Sequence, residues 1–249
     1  MRKVLVIGIG AGNPEHITVQ AINALNRADV LFIPEKGTGK ADLADLRREI
    51  VSRYVTNGSA KLVPFDVPVR DAANPSYVGG VADWHEAIAG IYARLLDEAL
   101  SEGGIGAFLV WGDPSLYDST LRILERARGV APQFEIEVVP GITSVQALTA
   151  AHGVALNRVG EPVLLTTGRK LGDAPADDTV VMLDGQLAFK ALEGDDYDIW
   201  WGAYLGSPDE LLIAGRLADV AEQIERVRAR ARAEHGWIMD TYLLRRRGQ

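Results

Sequence analysis

The sequence predicts an α/β protein with two domains, the first built on a mostly parallel sheet and the second on a mixed sheet. In the first half of the chain, three apolar runs each end in a turn rich in glycine or proline that leads into a helix. These turns are GIGAGNP (Gly8–Pro14), GDPSLY (Gly112–Tyr117) and PGITS (Pro140–Ser144). Ligands of open α/β sheets bind at such carboxyl-terminal strand ends. We therefore expect the three loops to build one site.

The elements of the first half follow from apolar runs and helical spacing. Trp84, Ile88, Ile91 and Leu95 recur at the spacing of an amphipathic helix. Proline lacks a backbone N–H, so Pro34 is expected to end the second strand. The predicted strands are Val4–Ile7, Val30–Ile33, Lys61–Val69, Ala107–Trp111 and residues 135–139, and the predicted helices are Pro14–Arg27, Leu43–Tyr54, Trp84–Leu100, 118–128 and 143–151.

The second half has fewer helices between its apolar runs, which favours a mixed sheet. Its predicted strands are residues 162–166, 179–183, 198–204, 210–214 and 237–244, and its predicted helix is Ala218–His235. We expect the first domain to cover residues 1–140, with an insertion at residues 35–84, and the second to cover residues 141–249. The arginines Arg245–Arg247 are expected to form a solvated end.

Composition excludes several kinds of site. The chain has no cysteine, which removes disulfides, thiolate metal ligands and cysteine nucleophiles. Its four histidines lack the spacing of a metal site, so no metal is expected. The net charge of −8 disfavours nucleic acid and anionic membranes as partners. No apolar run approaches the roughly 20 residues of a membrane span, and Met1–Lys3 leads directly into a strand, so we expect a cytoplasmic protein.

The glycine-rich segments do not match the spacing of known nucleotide-binding motifs. A dinucleotide fingerprint requires its third glycine where Asn13 stands, although Glu35 follows the second strand as a ribose-binding acid does. The segment Gly37–Lys40 lacks the first glycine of a phosphate loop, and Ala41 replaces its Ser or Thr. No G-x-S-x-G elbow is present. The spacing therefore favours neither a nicotinamide enzyme nor a serine hydrolase.

The loops GIGAGNP, GDPSLY and PGITS, in this order after successive strands, resemble the tetrapyrrole (cobalamin-precorrin) methyltransferase family. The resemblance covers essentially the whole chain, and LLTTGR, VVML, WGAYLG and AGRL also fit the family's second domain. It implies two α/β domains with a cofactor trough between them, S-adenosylmethionine as methyl donor, S-adenosylhomocysteine as product, a tetrapyrrole substrate and a homodimer. Other members carry the proline of the first loop one position earlier than Pro14.

The resemblance also implies a set of cofactor-binding residues. Main chain at the glycines approaches the ligand closely, Asp113 and Tyr117 shape the pocket beside the methionine part, and Met182 contributes an apolar contact to the adenine. Core packing is the more common role of a methionine in an apolar strand. The implied residues are Gly10, Pro14, Gly112, Asp113, Tyr117, Gly141, Ile142, Thr143, Ser144, Thr166, Met182, Ala203, Tyr204 and Ala214.

Within the family, GIGAGNPEHIT and the Arg-bearing segment after Glu35 resemble a member that methylates a corrin precursor and releases its acetyl group as acetate. Deacetylation requires water attack on a carbonyl, which a general base and a polarising donor assist. The candidates are Glu35, Tyr54 and His85, with Asp66 and Tyr77 as further possibilities. The sequence does not choose among them.

Corrin precursors carry many carboxylates, so a net-acidic enzyme requires local positive charge. Arginine suits forked carboxylate binding, and we expect Arg53 and Arg70 to contact the substrate. Arg47 and Arg48 are interpreted as a solvated helix face. Two alternatives stay open: a methyltransferase of the same fold acting on another tetrapyrrole precursor, a protein residue or rRNA, and a non-catalytic nucleotide- or tetrapyrrole-binding protein.

Overall fold

A computed structural model describes residues 1–35, 41–68, 77–175 and 177–248, with the backbone alone at 41–44 and 77–78. The chain divides into two compact units. The first consists of Met1–Gly10 and Pro14–Thr143, and the second of Ala11–Asn13 and the chain from Ser144 onward. Within the described residues, no helix combines the length and apolarity that a membrane crossing requires.

The first unit is a five-stranded parallel sheet with strand order β3-β2-β4-β1-β5. Strand β1, which lies between β4 and β5, is buried from Val4 onward, as expected of an interior strand that helices cover on both faces. The strands are β1 (Arg2–Gly8), β2 (Val30–Glu35), β3 (Lys61–Asp66), β4 (Ile105–Val110) and β5 (Phe134–Val139), and the helices are α1 (Val19–Leu25), α2 (Ala41–Tyr54), α3 (Tyr77–Glu98) and α4 (Thr120–Ala127).

Alternate residues of these strands form two apolar layers, one on each face of the sheet. The layer on the side of α1 and α2 contains Leu5 and Ile50. The layer on the side of α3 and α4 contains Phe32, Phe108 and Tyr92. Phe108 stacks on both aromatic neighbours, with ring centroids 4.8 Å from Phe32 and 4.3 Å from Tyr92. Side chains on opposite faces of the sheet therefore belong to separate cores.

Several predicted boundaries in this unit are wrong. Helix α3 begins at Tyr77 and not at Trp84, and β3 ends at Asp66 and not at Val69. The helix predicted over Pro14–Arg27 is a single 3-10 turn at Pro14–His16 followed by α1. Thr18 divides them, because its hydroxyl accepts a hydrogen bond from Ala21 N at 3.0 Å and so caps α1. Strand β2 also continues through Pro34 to Glu35. Pro34 lies beyond Phe32, where the pairing with β4 ends, so its missing N–H does not interrupt that ladder.

The second unit is a five-stranded sheet with order β6-β7-β10-β8-β9, and the prediction of a mixed sheet is confirmed. Strands β6 and β7 are parallel, whereas β10 is antiparallel to both β7 and β8, and β8 is antiparallel to β9. The elements are α5 (Ser144–His152), β6 (Val163–Thr167), β7 (Asp178–Met182), β8 (Tyr197–Ala203), β9 (Leu211–Arg216), α6 (Leu217–His235) and β10 (Asp240–Arg246).

The last strand is central, so the prediction of a solvated arginine end is wrong for Arg245, whereas Arg247 is exposed. Arg245 lies in β10, and its Nη2 is 3.1 Å from the fully buried carboxylate of Asp178 in β7. Arg158 reaches the same carboxylate, with its Nη2 3.3 Å from Oδ1. The sequence was misleading here because β10 lies in the middle of the sheet, and the carboxylate that pairs with Arg245 belongs to Asp178, which is 67 residues away in the chain.

Candidate functional site

The three glycine loops of the first unit meet at one edge of its sheet. Strands β4, β1 and β5 are neighbours and run parallel, so the turns that follow them leave from the same edge. A Cβ on Gly141 would lie 2.1 Å from Gly112 O and 2.8 Å from Gly8 Cα. A Cβ on Gly8 would lie 2.6 Å from Gly141 N. Gly8 in the first loop and Gly141 in the third therefore have to be glycine, because the backbone of another loop occupies the space of a side chain.

The first two loops are also joined by backbone hydrogen bonds. Gly112 N donates to Gly10 O at 2.8 Å, and Gly10 N donates to Gly112 O at 3.4 Å. Both glycines have positive φ angles, +88° and +70°, which other residues adopt only with strain. Pro14 follows this loop in the 3-10 turn and is half-buried. The loop geometry is thus fixed by the backbone itself.

The side chain of Asp113 links the second loop to the third. Its Oδ2 accepts a hydrogen bond from Gly141 N at 2.8 Å, and its Oδ1 accepts from Ser115 N at 2.8 Å and Ser115 Oγ at 2.5 Å. Partial burial alone raises the pKa of this carboxyl, but the hydrogen bonds from Ser115 and Gly141 outweigh burial and hold the pKa below its usual value. Asp113 therefore acts as an ionised brace between loops.

Around this brace, several side chains are open to solvent. Tyr117 is 43% exposed although its backbone is left-handed, with φ of 50°. Ile142 is 36% exposed, and Thr143 and Ser144 are half-buried at the start of α5. A non-glycine residue with positive φ persists only where the surroundings enforce it, and such positions cluster at binding sites. The exposed Tyr117 ring is therefore a ligand-facing candidate.

The second unit has a similar edge. Strands β6, β7 and β8 point the same way, because β6 is parallel to β7 and both β7 and β8 are antiparallel to β10. Met182 ends β7 and is half-buried. Leu183 follows it with φ of 53° and 56% exposure, an apolar side chain that strained backbone holds in solvent. Sequence reasoning missed Leu183, and the VVML motif that ends on it was the available signal.

Tyr204, which the resemblance also implies as a cofactor-binding residue, is a core residue. Its ring packs edge-on against Trp237, with centroids 5.1 Å apart, and its hydroxyl donates to Trp237 O at 2.5 Å. Ala203 is fully buried. Tyr204 has φ of 50°, so the backbone turns sharply after β8. Residues 11–13 of the first glycine loop belong to the second unit, and a Cβ on Gly12 would lie 2.2 Å from Leu205 O in this turn. The ring therefore offers a ligand little surface.

Two weaker candidates do not join these residues. Thr166 is buried in β6 and pairs in register with Val181, so it faces the opposite side of the sheet from Met182. Ala214 is exposed in the middle of β9, where it pairs with Trp200. The structure thus brings Met182, Leu183 and Tyr204 to one edge and leaves Thr166 and Ala214 outside that group.

The three candidate catalytic residues do not form one constellation. Glu35 ends β2, and its Oε1 accepts from Arg48 Nη2 at 2.7 Å. Tyr54 packs in the layer of α1 and α2. His85 is buried on α3, on the other face of the sheet, where its Nε2 lies 2.9 Å from Ser119 Oγ. The sheet separates Tyr54 from His85, so these residues cannot act as a triad. Asp66 pairs in register with Glu35, and Tyr77 lies where only the backbone is described.

The candidate substrate arginines differ in setting. Arg53 is exposed on α2 and forms an ion pair with Glu49, with its Nη2 2.5 Å from Oε1. Arg70 lies outside the described residues. Arg48 is exposed and pairs with Glu35 and Asp45, as a solvated face predicts.

Arg47 contradicts that interpretation. Its Nε donates to Leu109 O at 3.0 Å, beyond the point where the pairing of β2 with β4 ends. Burial lowers the pKa of its guanidinium to about 10, although Tyr92 and Asp118 oppose this shift. Helical spacing was the available signal, because Arg47 shares the stripe of Leu43 and Ile50. The structure therefore adds Arg47 as a partly desolvated cation at the carboxyl edge of β4.

The chain matches the family of tetrapyrrole (corrin/porphyrin) methylases over residues 3–221. It is 58% identical over 251 residues to a protein of a Sinorhizobium species named precorrin-6A synthase [deacetylating], covering 99% of this chain and 96% of the relative. The resemblance drawn from the three loops is confirmed by this match.

Comparison with solved structures supports the same family fold. A cobalamin synthesis related protein of Corynebacterium diphtheriae is 40% identical and superposes with a TM-score of 0.83, covering 98% of both chains. A uroporphyrin-III C-methyltransferase of Thermus thermophilus, solved in complex with S-adenosylhomocysteine, has a TM-score of 0.54 at 20% identity, covering 89% of this chain and 86% of that one. The second likeness concerns the fold alone. The predicted fold class is confirmed, and the chain belongs to the tetrapyrrole (corrin/porphyrin) methylase family.

Proposed function

We propose that the protein is an S-adenosylmethionine-dependent methyltransferase that converts precorrin-5 to precorrin-6A with loss of acetate, in the aerobic synthesis of cobalamin. The observation that carries this proposal is the 58% identity, along 99% of the chain, to a relative named for that deacetylating activity. The convergence of the three glycine loops at one sheet edge supports it, because such edges bind ligands in α/β proteins.

The loops fit S-adenosylmethionine by their chemistry. Backbone at Gly10, Gly112 and Gly141 carries no side chain that would bar a ligand, and its conformation is fixed before binding. Tyr117 and Ile142 supply exposed apolar surface beside it. We assign Pro14, Thr143 and Ser144 to the same region, with Asp113 as the brace that holds the second and third loops together.

In the second unit, we assign the adenine contacts to the edge formed by Met182, Leu183 and the backbone of Ala203 and Tyr204. A half-buried methionine beside an exposed leucine provides the apolar surface that a purine ring packs on. Thr166 and Ala214 stay assigned to the cofactor by family resemblance, without support from this edge.

When bound, S-adenosylmethionine supplies a methyl group activated by its sulfonium. Transfer of this methyl group requires alignment of the accepting carbon with the methyl and the sulfur, and no side-chain nucleophile. The contribution of the chain is therefore orientation and exclusion of water. A rigid backbone cradle suits this role, because its dipoles need no rearrangement at the moment of transfer.

For the substrate, we propose that Arg47 and Arg53 contact carboxylates of the tetrapyrrole, together with Arg70. A chain of net charge −8 requires local cations to attract a polyanion. Arg47 is partly desolvated, so a carboxylate that reaches it gains more than one that meets a hydrated arginine. To bind a substrate carboxylate, Arg53 must give up its ion pair with Glu49.

The experiment that tests the proposal has two parts. Calorimetric titration of S-adenosylmethionine and S-adenosylhomocysteine should give one-site binding of both, abolished by a bulky residue at Gly112. Incubation with precorrin-5 and S-adenosylmethionine should then release acetate and S-adenosylhomocysteine together. Methylation without acetate would assign another tetrapyrrole methylation, and binding without turnover of any precursor would assign a non-catalytic binding protein.

We also propose a cytoplasmic homodimer, as the family resemblance implies. Light scattering of the purified protein at micromolar concentration should give twice the chain mass of 26.9 kDa. A mass equal to one chain would contradict the dimer and leave the methyltransferase proposal intact.

A further inference from the structure

Ser119 stands at the start of α4 but does not cap it. The cap is made by its neighbour, because Asp118 Oδ1 accepts a hydrogen bond from Thr120 N at 2.7 Å. The Ser119 hydroxyl forms no cap hydrogen bond and instead lies 2.9 Å from His85 Nε2 on α3. A serine that normally stabilises a helix end is thus paired with an imidazole, in the geometry of a nucleophile and its base.

The surroundings of His85 favour the neutral ring. Its side chain is 6% exposed, and the indole of Trp84 lies against it with centroids 5.5 Å apart. Burial lowers the pKa of the imidazole, and the positive charges of Arg126 and Arg122 on α4 lower it further. Arg126 is itself paired with Glu86 at 3.2 Å. These surroundings favour the neutral ring at pH 7, and in the tautomer that carries its proton on Nδ1, the Nε2 atom can accept the proton of the Ser119 hydroxyl.

The pair is connected to the candidate cofactor loop. Ser119 is half-buried and follows the exposed, left-handed Tyr117 by two residues, on the connection between β4 and α4 that begins with GDPSLY. The first turn of α4 also presents backbone N–H groups and the positive end of the helix dipole. Negative charge that develops on a carbonyl oxygen near Ser119 Oγ is stabilised by such a helix end.

We propose that Ser119 and His85 remove the acetyl group of the substrate, with Ser119 as nucleophile and His85 as general base. The inference rests on the proposed deacetylating activity. Ser119 Oγ attacks the acetyl carbonyl carbon while its proton passes to His85 Nε2. The bond between that carbon and the ring carbon then breaks, which leaves an acetyl ester on Ser119. Water, activated by His85, hydrolyses the ester and releases acetate.

This order of chemical steps links the loss of acetate to the methylation on one protein. The electron pair of the broken carbon–carbon bond stays on the ring carbon, which is then the nucleophile for the methyl group. The balance closes with one water consumed and acetate, the methylated product, S-adenosylhomocysteine and protons released. No oxidant, metal or further co-reactant is required.

The first test does not depend on the natural substrate. The full-length protein is incubated with p-nitrophenyl acetate at neutral pH, quenched in acid and digested, and the peptides are analysed by mass spectrometry. We expect one acetyl group on Ser119 in the wild type and none at this position in His85→Gln. The matched control Ser52→Ala removes a hydroxyl from the exposed face of α2 and should retain the label. An unlabelled Ser119 in the wild type overturns the proposal.

The second test measures turnover of precorrin-5. Ser119→Ala removes one oxygen atom and should keep the fold and the affinity for S-adenosylmethionine, while acetate release falls by at least about 100-fold. Acetate release within about threefold of wild type overturns the dyad. Failure of the wild type to bind S-adenosylmethionine would instead overturn the proposed function, so the two failures are distinguishable.

Discussion

The carboxylate of Asp113 accepts a hydrogen bond from Gly141 N at 2.8 Å and thereby joins two loops that are 28 residues apart. The same side chain holds Ser115 through two further hydrogen bonds. We expect Asp113→Asn to lower the free energy of unfolding by about 1–3 kcal/mol, because an amide replaces an ionised acceptor of three donors. Affinity for S-adenosylmethionine should fall with it, since both loops lose their brace. Calorimetry and urea unfolding measure the two effects.

The contribution of Asp113 to stability is expected to depend on pH. Hydrogen bonds from Ser115 and Gly141 hold the folded pKa of Asp113 below its usual value of 3.8. Its stabilisation is therefore complete well above pH 3.8 and is lost as the pH falls through the folded pKa. Asp113→Asn should flatten the stability profile in this acidic range relative to wild type. Asp209→Asn, an exposed control, should not, and a profile unchanged in Asp113→Asn would contradict the brace.

Gly141 and Gly90 provide a matched pair of glycine replacements. A Cβ on Gly141 meets Gly112 O at 2.1 Å, whereas a Cβ on Gly90, within α3, meets nothing within 4 Å. We expect Gly141→Ala to displace the third loop, destabilise the protein by about 2 kcal/mol and weaken cofactor binding at least about tenfold. Gly90→Ala should stabilise it by up to about 1 kcal/mol through helix propensity, with unchanged affinity. Equal affinities for the two variants would exclude Gly141 from the site.

Arg53 and Arg70 are expected to act on substrate affinity and not on cofactor affinity. Replacing either by Ala should raise KM for the tetrapyrrole about tenfold, because the loss of one charge-assisted hydrogen bond weakens binding by about that factor. Arg47→Gln should raise KM as well, and it removes the donor to Leu109 O in addition. Arg226→Ala on the exposed face of α6 is the control. A KM that stays at the wild-type value removes the tested arginine from the substrate site.

Local sequence pattern was sufficient to predict some parts of the fold. Three glycine turns after buried strands were enough to predict that the loops converge, because parallel neighbours end at one edge. The mixed second sheet followed from its few helices.

Contacts distant in sequence explain the errors. The role of Arg47 depends on Leu109, which is 62 residues away, and the burial of Arg245 depends on Asp178. The pairing of His85 with Ser119 depends on how α3 packs on α4. No spacing rule within one element contains these contacts.

In the second unit, Asp178 belongs to a buried ion pair and Asp198 to a partly exposed one, so the two residues allow the effect of burial to be compared. Asp178 is fully buried and contacts both Arg158 and Arg245, whereas Asp198 is partly exposed with Arg247 Nε 3.8 Å away. Removing one partner of a buried pair leaves an uncompensated charge, so Asp178→Asn should destabilise the protein by about 3 kcal/mol. Asp198→Asn should change stability by less than about 0.5 kcal/mol. Thermal unfolding measures both, and equal effects would show that burial does not distinguish the two pairs.

Leu183 offers a test in which stability and binding are expected to move in opposite directions. Its left-handed backbone disfavours a leucine, and its side chain is 56% exposed, so the protein gains little from it without a ligand. Asparagine tolerates this conformation better, and Leu183→Asn should raise the free energy of unfolding by up to about 1 kcal/mol. The same change removes apolar surface from the proposed adenine edge, so affinity for S-adenosylmethionine should fall about tenfold. Val159→Asn, at a fully exposed position, is the control for affinity. If Leu183→Asn stabilises the protein and binds the cofactor as tightly as wild type, the strained leucine has no part in adenine binding and the contact must come from Met182 and the backbone alone.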